Sequence, residues 1–152
     1  VGINKLIPKL MNSNSGGAQY IMKNLSAEYW EKVETDSEKL FVEITKRNEI
    51  IKKTDKEYNE IQIWCADMWA VLWNAWLWGN ETKVVKDLSF CWPTEPIDYW
   101  DKHIIYHNAG VTVDNNTDGQ YFYKGAYINS LPYDLEDTFS EKYCSKRYFK
   151  FV

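Results

Sequence analysis

One carboxylate, Asp67, stands in the most aromatic stretch of the chain, Ile61 to Gly79 (IQIWCADMWAVLWNAWLWG), which holds five of the eight tryptophans. An ionised Asp among such side chains is costly unless something pairs with it, so it has either a structural partner or a task. At ~100° per residue, Asp67 and Asn74 share nearly one helix face. Ala70 between them is small enough to leave room, while Trp69, Leu72, Trp73 and Trp76 point elsewhere. That polar stripe reads as the wall of a pocket. The structural alternative is an Asp that caps a helix starting at Met68, or that pairs with Arg47 or Arg147.

His103 and His107 invite a metal reading. On a strand, four residues put them ~13 Å apart at ~3.3 Å per residue. A zinc ion needs its nitrogen ligands within ~2.1 Å, so at most one of the two binds it. His107 is preferred, because it precedes Asn108-Ala109-Gly110, where the backbone can approach a ligand closely. The segment Ser15-Gly16-Gly17-Ala18-Gln19 offers backbone amides and the Gln19 side chain. It is no phosphate loop, since neither GxxxxGK[ST] nor GxGxxG occurs, and no GxSxG marks a nucleophilic serine. The acidic groups Glu95, Asp98, Asp101 and Asp134, Glu136, Asp137 read as solvated turns rather than as a hydrolase pair.

Two helices must position these residues. Ser26 is an N-cap with Glu28 in the first turn, and Trp30, Val33, Leu40, Phe41 and Ile44 recur at helical spacing, predicting a helix over about 26–52. A second helix spans about 60–78 and stops at Gly79, a natural C′ residue. Beyond it the texture changes to strands and turns. VVKDLSF (84–90) and HIIYH (103–107) read as strands. DNNTDG (114–119) reads as a turn, and QYFYKGAY (120–127) as a strand in hairpin with VTV. The expected class is α+β, with the two helices packed on a small mixed sheet.

The 152 residues suit one domain over 1–152, and 45% hydrophobic with 16% aromatic residues favours a folded core. A net charge of −4 and a pI of about 5.2 argue against a nucleic-acid partner. The basic run Lys46, Arg47, Lys52, Lys53, Lys56 alternates with acids and reads as a solvated helix face. Cys65, Cys91 and Cys144 are odd in number without CxxC spacing, which points to a reducing, cytoplasmic setting. The 61–79 run approaches the ~20 residues of a membrane span. Asp67 within it would cost roughly 2.5–3.5 kcal/mol to insert, so no transmembrane segment is expected. Three Asn-x-Ser/Thr patterns, at Asn24, Asn80 and Asn115, are short enough to arise by chance.

Three segments in order, NSNSGGAQYIMKN, WCADMWAVLW and IIYHNAGV, resemble the C-terminal part of the GT-A-fold glycosyltransferases, which use nucleotide-sugars. The resemblance covers roughly 12–112. It implies that Gly16, Gly17 and Gln19 touch donor or acceptor sugar, with Asn74 and Gly110 lining the same site. Asp67 would orient sugar hydroxyls or act as base on the acceptor hydroxyl. His107 would hold a divalent ion, Mn or Mg, or the departing diphosphate. Partners would be a nucleotide-sugar donor and a glycan acceptor. The chain has no Asp-x-Asp motif, the metal signature that closes the nucleotide-binding half of such enzymes. The expectation is therefore the sugar-side part of a longer chain, with little transfer activity of its own, and the start at Val1 rather than Met agrees with an excerpt. A non-catalytic carbohydrate-binding module and a structural or assembly domain are the alternatives.

Overall fold

A computed structural model describes residues 1–10, 19–129 and 135–150. The chain divides into two compact units, Val1–Val84 and Val85–Val152, where the sequence reading places one domain. Among the described residues the elements run α1 (Leu6–Leu10), α2 (Ala27–Thr54), α3 (Ala66–Leu77), β1 (Phe90–Cys91), β2 (Ile105–Tyr106) and α4 (Cys144–Phe149), joined by short 3₁₀ turns. The class is α+β. Its sheet is parallel rather than mixed, with Phe90 opposite Ile105 and Cys91 opposite Tyr106.

The first unit is a helix pair. Ser26 caps α2 as expected, its Oγ accepting from Tyr29 N–H at 3.4 Å, and Lys52 and Lys53 complement the dipole in the last turn. The buried face of α2 is Tyr29, Val33, Asp36, Ile44 and Asn48. Trp30 and Phe41, expected inside, are about half exposed. The periodicity is right and its phase is displaced by one residue, because two polar side chains belong to the inner face. Tyr29 is wholly buried and donates its hydroxyl to the Val71 carbonyl at 2.7 Å, tying α2 to α3. Burial pushes that phenol up to about 12.

The second helix starts later than expected. A 3₁₀ turn at Ile63–Cys65 leads into α3, and residues 60–62 stay non-helical. Asn48 explains the delay. Its amide donates to Ile61 O (2.8 Å), and its carbonyl oxygen accepts from Ile61 N–H and the Tyr58 hydroxyl, both at 3.1 Å. One buried side chain thereby satisfies the connecting backbone where no helix ladder can. At the other end Gly79, at φ +76, closes α3. Gly79 N–H bonds to Trp76 O (3.0 Å) and Asn80 N–H to Ala75 O (2.9 Å), the paired pattern that left-handed glycine permits.

In the second unit, strand signals outran strand formation. The 84–90 run gives a 3₁₀ turn at Lys86–Leu88 followed by two strand residues, and HIIYH contributes only Ile105 and Tyr106. The QYFYKGAY segment holds a 3₁₀ turn at Lys124–Tyr127, and no hairpin with VTV forms among the described residues. Aromatic packing does the work instead. Phe122 meets Tyr127, Phe139, Tyr148 and Phe149, and Tyr106 stacks on Tyr148 at 4.7 Å. The loop after β1 is pinned to the start of α4 by Cys144 N–H to Glu95 O (2.9 Å) and Ser145 N–H to Pro93 O (3.1 Å). Buried Lys146 is held by Asp137 (2.8 Å), Glu141 (2.9 Å) and the Phe139 carbonyl (3.1 Å), which is the satisfaction a buried ammonium requires.

Candidate functional site

Asp67 is the second residue of α3 and is exposed. The costly burial that drew attention to it is absent, because the first helical turn projects it out of the tryptophan packing. Its Oδ1 accepts from Met68 N–H at 2.8 Å, one of the amides that a helix start leaves without an intrahelical partner. The structural alternative, a cap on a helix starting at Met68, takes a different form: α3 starts at Ala66 with Cys65 at its N-cap, and Asp67 bonds the next amide from within the first turn. A carboxylate in a first turn also complements the helix dipole. No ion pair engages it among the described residues, and its second oxygen has no protein partner there.

Beside it lies Tyr20, whose hydroxyl donates to the Met68 carbonyl at 3.4 Å. Burial raises the Tyr20 phenol above its ordinary range, and the Asp67 carboxylate adds to the rise. The same carboxylate adds to the burial-driven rise of the Cys65 thiol. The segment holding Tyr20 and the start of α3 thus adjoin. Gln19 is half-buried on that segment, and Gly16 and Gly17 lie outside the described residues.

Asn74 belongs elsewhere. It is fully buried, and its amide donates to Asp36 Oδ2 and to Ala70 O, both at 3.0 Å. Asp36 also receives Lys32 Nζ at 2.8 Å, and these bonds hold its carboxyl below the ordinary range against the burial that raises it. Asp67 and Asn74 therefore do not form one open wall. Seven residues along a helix drift by ~20° from a true repeat, so Asp67 projects outward while Asn74 turns into the α2–α3 interface. Asn74 is a tie in the α2–α3 interface rather than a surface that a ligand reaches.

His107 and Gly110 fall in the second unit. The His107 ring sits 4.8 Å from both Phe90 and Trp92, and its backbone N–H donates to Cys91 O at 2.9 Å, continuing the strand pairing. Burial, helped by Lys124, lowers its pKa, so the imidazole is neutral at pH 7. His103 lies in a different setting, stacked on Tyr99 and donating from Nδ1 to the Tyr99 carbonyl at 2.8 Å. Gly110 takes φ +81, and a Cβ there would meet the Trp92 ring at 3.4 Å, so the loop uses glycine for backbone conformation and for close approach. The Gly110 carbonyl accepts from the Asn115 amide at 2.7 Å, which fixes the loop that follows.

No known protein family, curated protein or solved structure matches the chain. Among the described residues no three of His, Cys, Asp and Glu gather into a metal site. His107 alone would offer a divalent ion one neutral nitrogen, so these residues do not make a complete coordination sphere. All three cysteines are buried thiols, and burial together with the neighbouring Cys91 pushes Cys144 up to about 12, which leaves it un-ionised and non-nucleophilic at pH 7. No described helix is long and apolar enough to cross a membrane. Tyr20, Asp36, Asn48 and the Phe90–Trp92 pair are contributors that sequence reasoning did not single out.

Proposed function

We propose that this chain is the acceptor-side portion of a glycosyltransferase that moves a sugar from a nucleotide-sugar to a glycan or another hydroxyl acceptor. The observation that carries the reading is the Tyr20–Met68 hydrogen bond, which seats the segment after Gly16-Gly17 beside the exposed Asp67 carboxylate. Two motifs far apart in the chain are thereby neighbours, which a chance resemblance of short segments does not require.

In this reading Asp67 accepts the proton of the acceptor hydroxyl as its oxygen bonds to the anomeric carbon. The bond from that carbon to the diphosphate breaks, and the nucleoside diphosphate departs with the electron pair. An exposed carboxylate suits this task because it exchanges its proton with solvent between turnovers. His107, in the second unit and neutral at pH 7, would offer one imidazole nitrogen to a diphosphate or to a divalent ion, manganese or magnesium. Gly110 lets that backbone come close.

The test is manganese-dependent hydrolysis of nucleotide-sugars by the full-length natural protein. Asp67→Asn is expected to lower turnover by about 100-fold or more, the usual share of a general base. His107→Ala is expected to weaken nucleotide-sugar use. Unchanged turnover in both folded variants would sink the proposal. A non-catalytic carbohydrate-binding module is favoured instead if glycan binding persists after metal chelation and in Asp67→Asn.

A further inference from the structure

Trp64 is unlike the other seven tryptophans. It is 68% exposed, against 47% for Trp30 and 44% for Trp78. Each of the others has a ring partner or an indole hydrogen bond: Trp30 and Trp78 on Tyr29, Trp69 with Trp73, Trp76 to Thr82, Trp92 with Phe90, Trp100 with Tyr106. Trp64 has neither among the described residues. An isolated exposed apolar side chain is ordinary on a protein surface, but this one has a particular neighbour. It lies in the 3₁₀ turn Ile63–Cys65, three residues before Asp67. In 3₁₀ geometry residues three apart eclipse, and at a helix start they still share a face with Cβ atoms ~5–6 Å apart. An indole without a ring partner and a carboxylate with a spare oxygen thus lie three residues apart at the start of α3, both exposed.

We infer that Trp64 is a stacking platform for the acceptor sugar, a pyranose whose C–H face lies on the indole while a rim hydroxyl donates to Asp67 Oδ2. The inference rests on the sugar-transfer reading for the ligand class and on this juxtaposition for the place. A pyranose presents an apolar face and a ring of hydroxyl donors, and the pair Trp64–Asp67 presents an apolar plate and an anionic acceptor at its edge. The hydrogen bond to an ionised acceptor is the stronger kind. A quaternary ammonium, the other ligand an aromatic and a carboxylate attract, wants a cage of several rings. Tyr20, the nearest other ring with a polar end, directs its hydroxyl to the Met68 carbonyl and does not complete one. The backbone leading into the 3₁₀ turn is anchored through Ile61 to Asn48, so the chain that carries Trp64 is held before a ligand arrives.

The experiment follows the indole N–H resonances of the protein while di- and trisaccharides of glucose, galactose, mannose and N-acetylglucosamine are titrated, with tetramethylammonium as a second probe. At least one saccharide is expected to shift the Trp64 signal. Its binding should weaken roughly tenfold or more in Trp64→Ala, as for a tryptophan hot spot, and recover largely in Trp64→Tyr. Because Trp64 is exposed and unpaired, Trp64→Ala should leave the fold intact, which its other indole resonances report. No saccharide shifting Trp64, full affinity in Trp64→Ala, or a shift by tetramethylammonium alone would each overturn the inference. Nucleotide-sugar hydrolysis with water as acceptor separates it from the broader reading. Trp64→Ala should keep hydrolysis while losing transfer to the saccharide. Hydrolysis without any saccharide effect at Trp64 removes the platform and leaves the enzyme. Saccharide binding at Trp64 without hydrolysis does the reverse.

Discussion

Asp67 and His107 owe their chemistry to opposite surroundings. Asp67 stands in water at a helix start, and its structural share is a single amide and the helix dipole. Asp67→Asn should therefore cost no more than about 1 kcal/mol of stability, measured by denaturant unfolding. A buried ion pair would instead cost about 3–5 kcal/mol, and a loss of that size would show that the carboxylate is structural. His107 is packed between two aromatic rings that disfavour its charged form. Its folded pKa lies below the unfolded value of about 6.5, so the unfolded chain binds the proton more readily between the two. Stability is expected to fall as pH drops through that window, and His107→Gln should flatten the fall. Thermal unfolding at pH 5.5 and 7.5 (roughly one unit either side of an ordinary histidine) checks it, and a steeper loss in the variant would refute the packing account.

At the scale of elements, α2 carries the load through its polar side chains. Asn48 makes three bonds to the connection that delivers α3, and Asp36 ties the middle of the two helices through Asn74. Asn48→Ala leaves the Ile61 backbone without its Asn48 partners, at a cost of about 1 kcal/mol. Hydrogen exchange should show lost protection at Ile61 and in the first turn of α3 before the middle of α2. Such ties explain what the sequence made readable and what it hid. The Ser26 cap, the helical period of α2 and the Gly79 stop are local signals, and each is realised in the fold. The inward turn of Asp36 and Asn48 is not local, since each is satisfied through partners beyond its own helix, Asn74 for Asp36 and Ile61 with Tyr58 for Asn48. Asp67 and Asn74 looked alike from the sequence because helix spacing alone does not say which of two residues on one stripe faces the partner helix. The strand runs failed for the converse reason. Val84 and Val85 have strand-forming types, but a strand also needs a neighbour to pair with.

Each unit of the whole molecule has its own centre, Tyr29 with Val33, Ala70 and Ala75 in the first and the rings around Phe122 in the second. Phe122→Ala empties the middle of an aromatic cluster and should cost about 3–5 kcal/mol. The loss should register first in the amides of residues 85–150, and equal loss across both units would mean that they unfold as one. Asp67 and His107, which the resemblance joined into one reading, fall in different units. The carboxylate with Trp64 belongs to the first unit and the imidazole with its glycine loop to the second.

The exposure of Trp64 has an optical consequence. Its indole emits from an aqueous setting, whereas Trp76, 6% exposed and bonded to Thr82, emits from the interior. Acrylamide reaches the first and is largely denied the second. A molecule resting on the Trp64 face would shield that fluorophore from the quencher and move the remaining emission to the blue, so the chain carries a built-in dye at the spot where a ligand is expected.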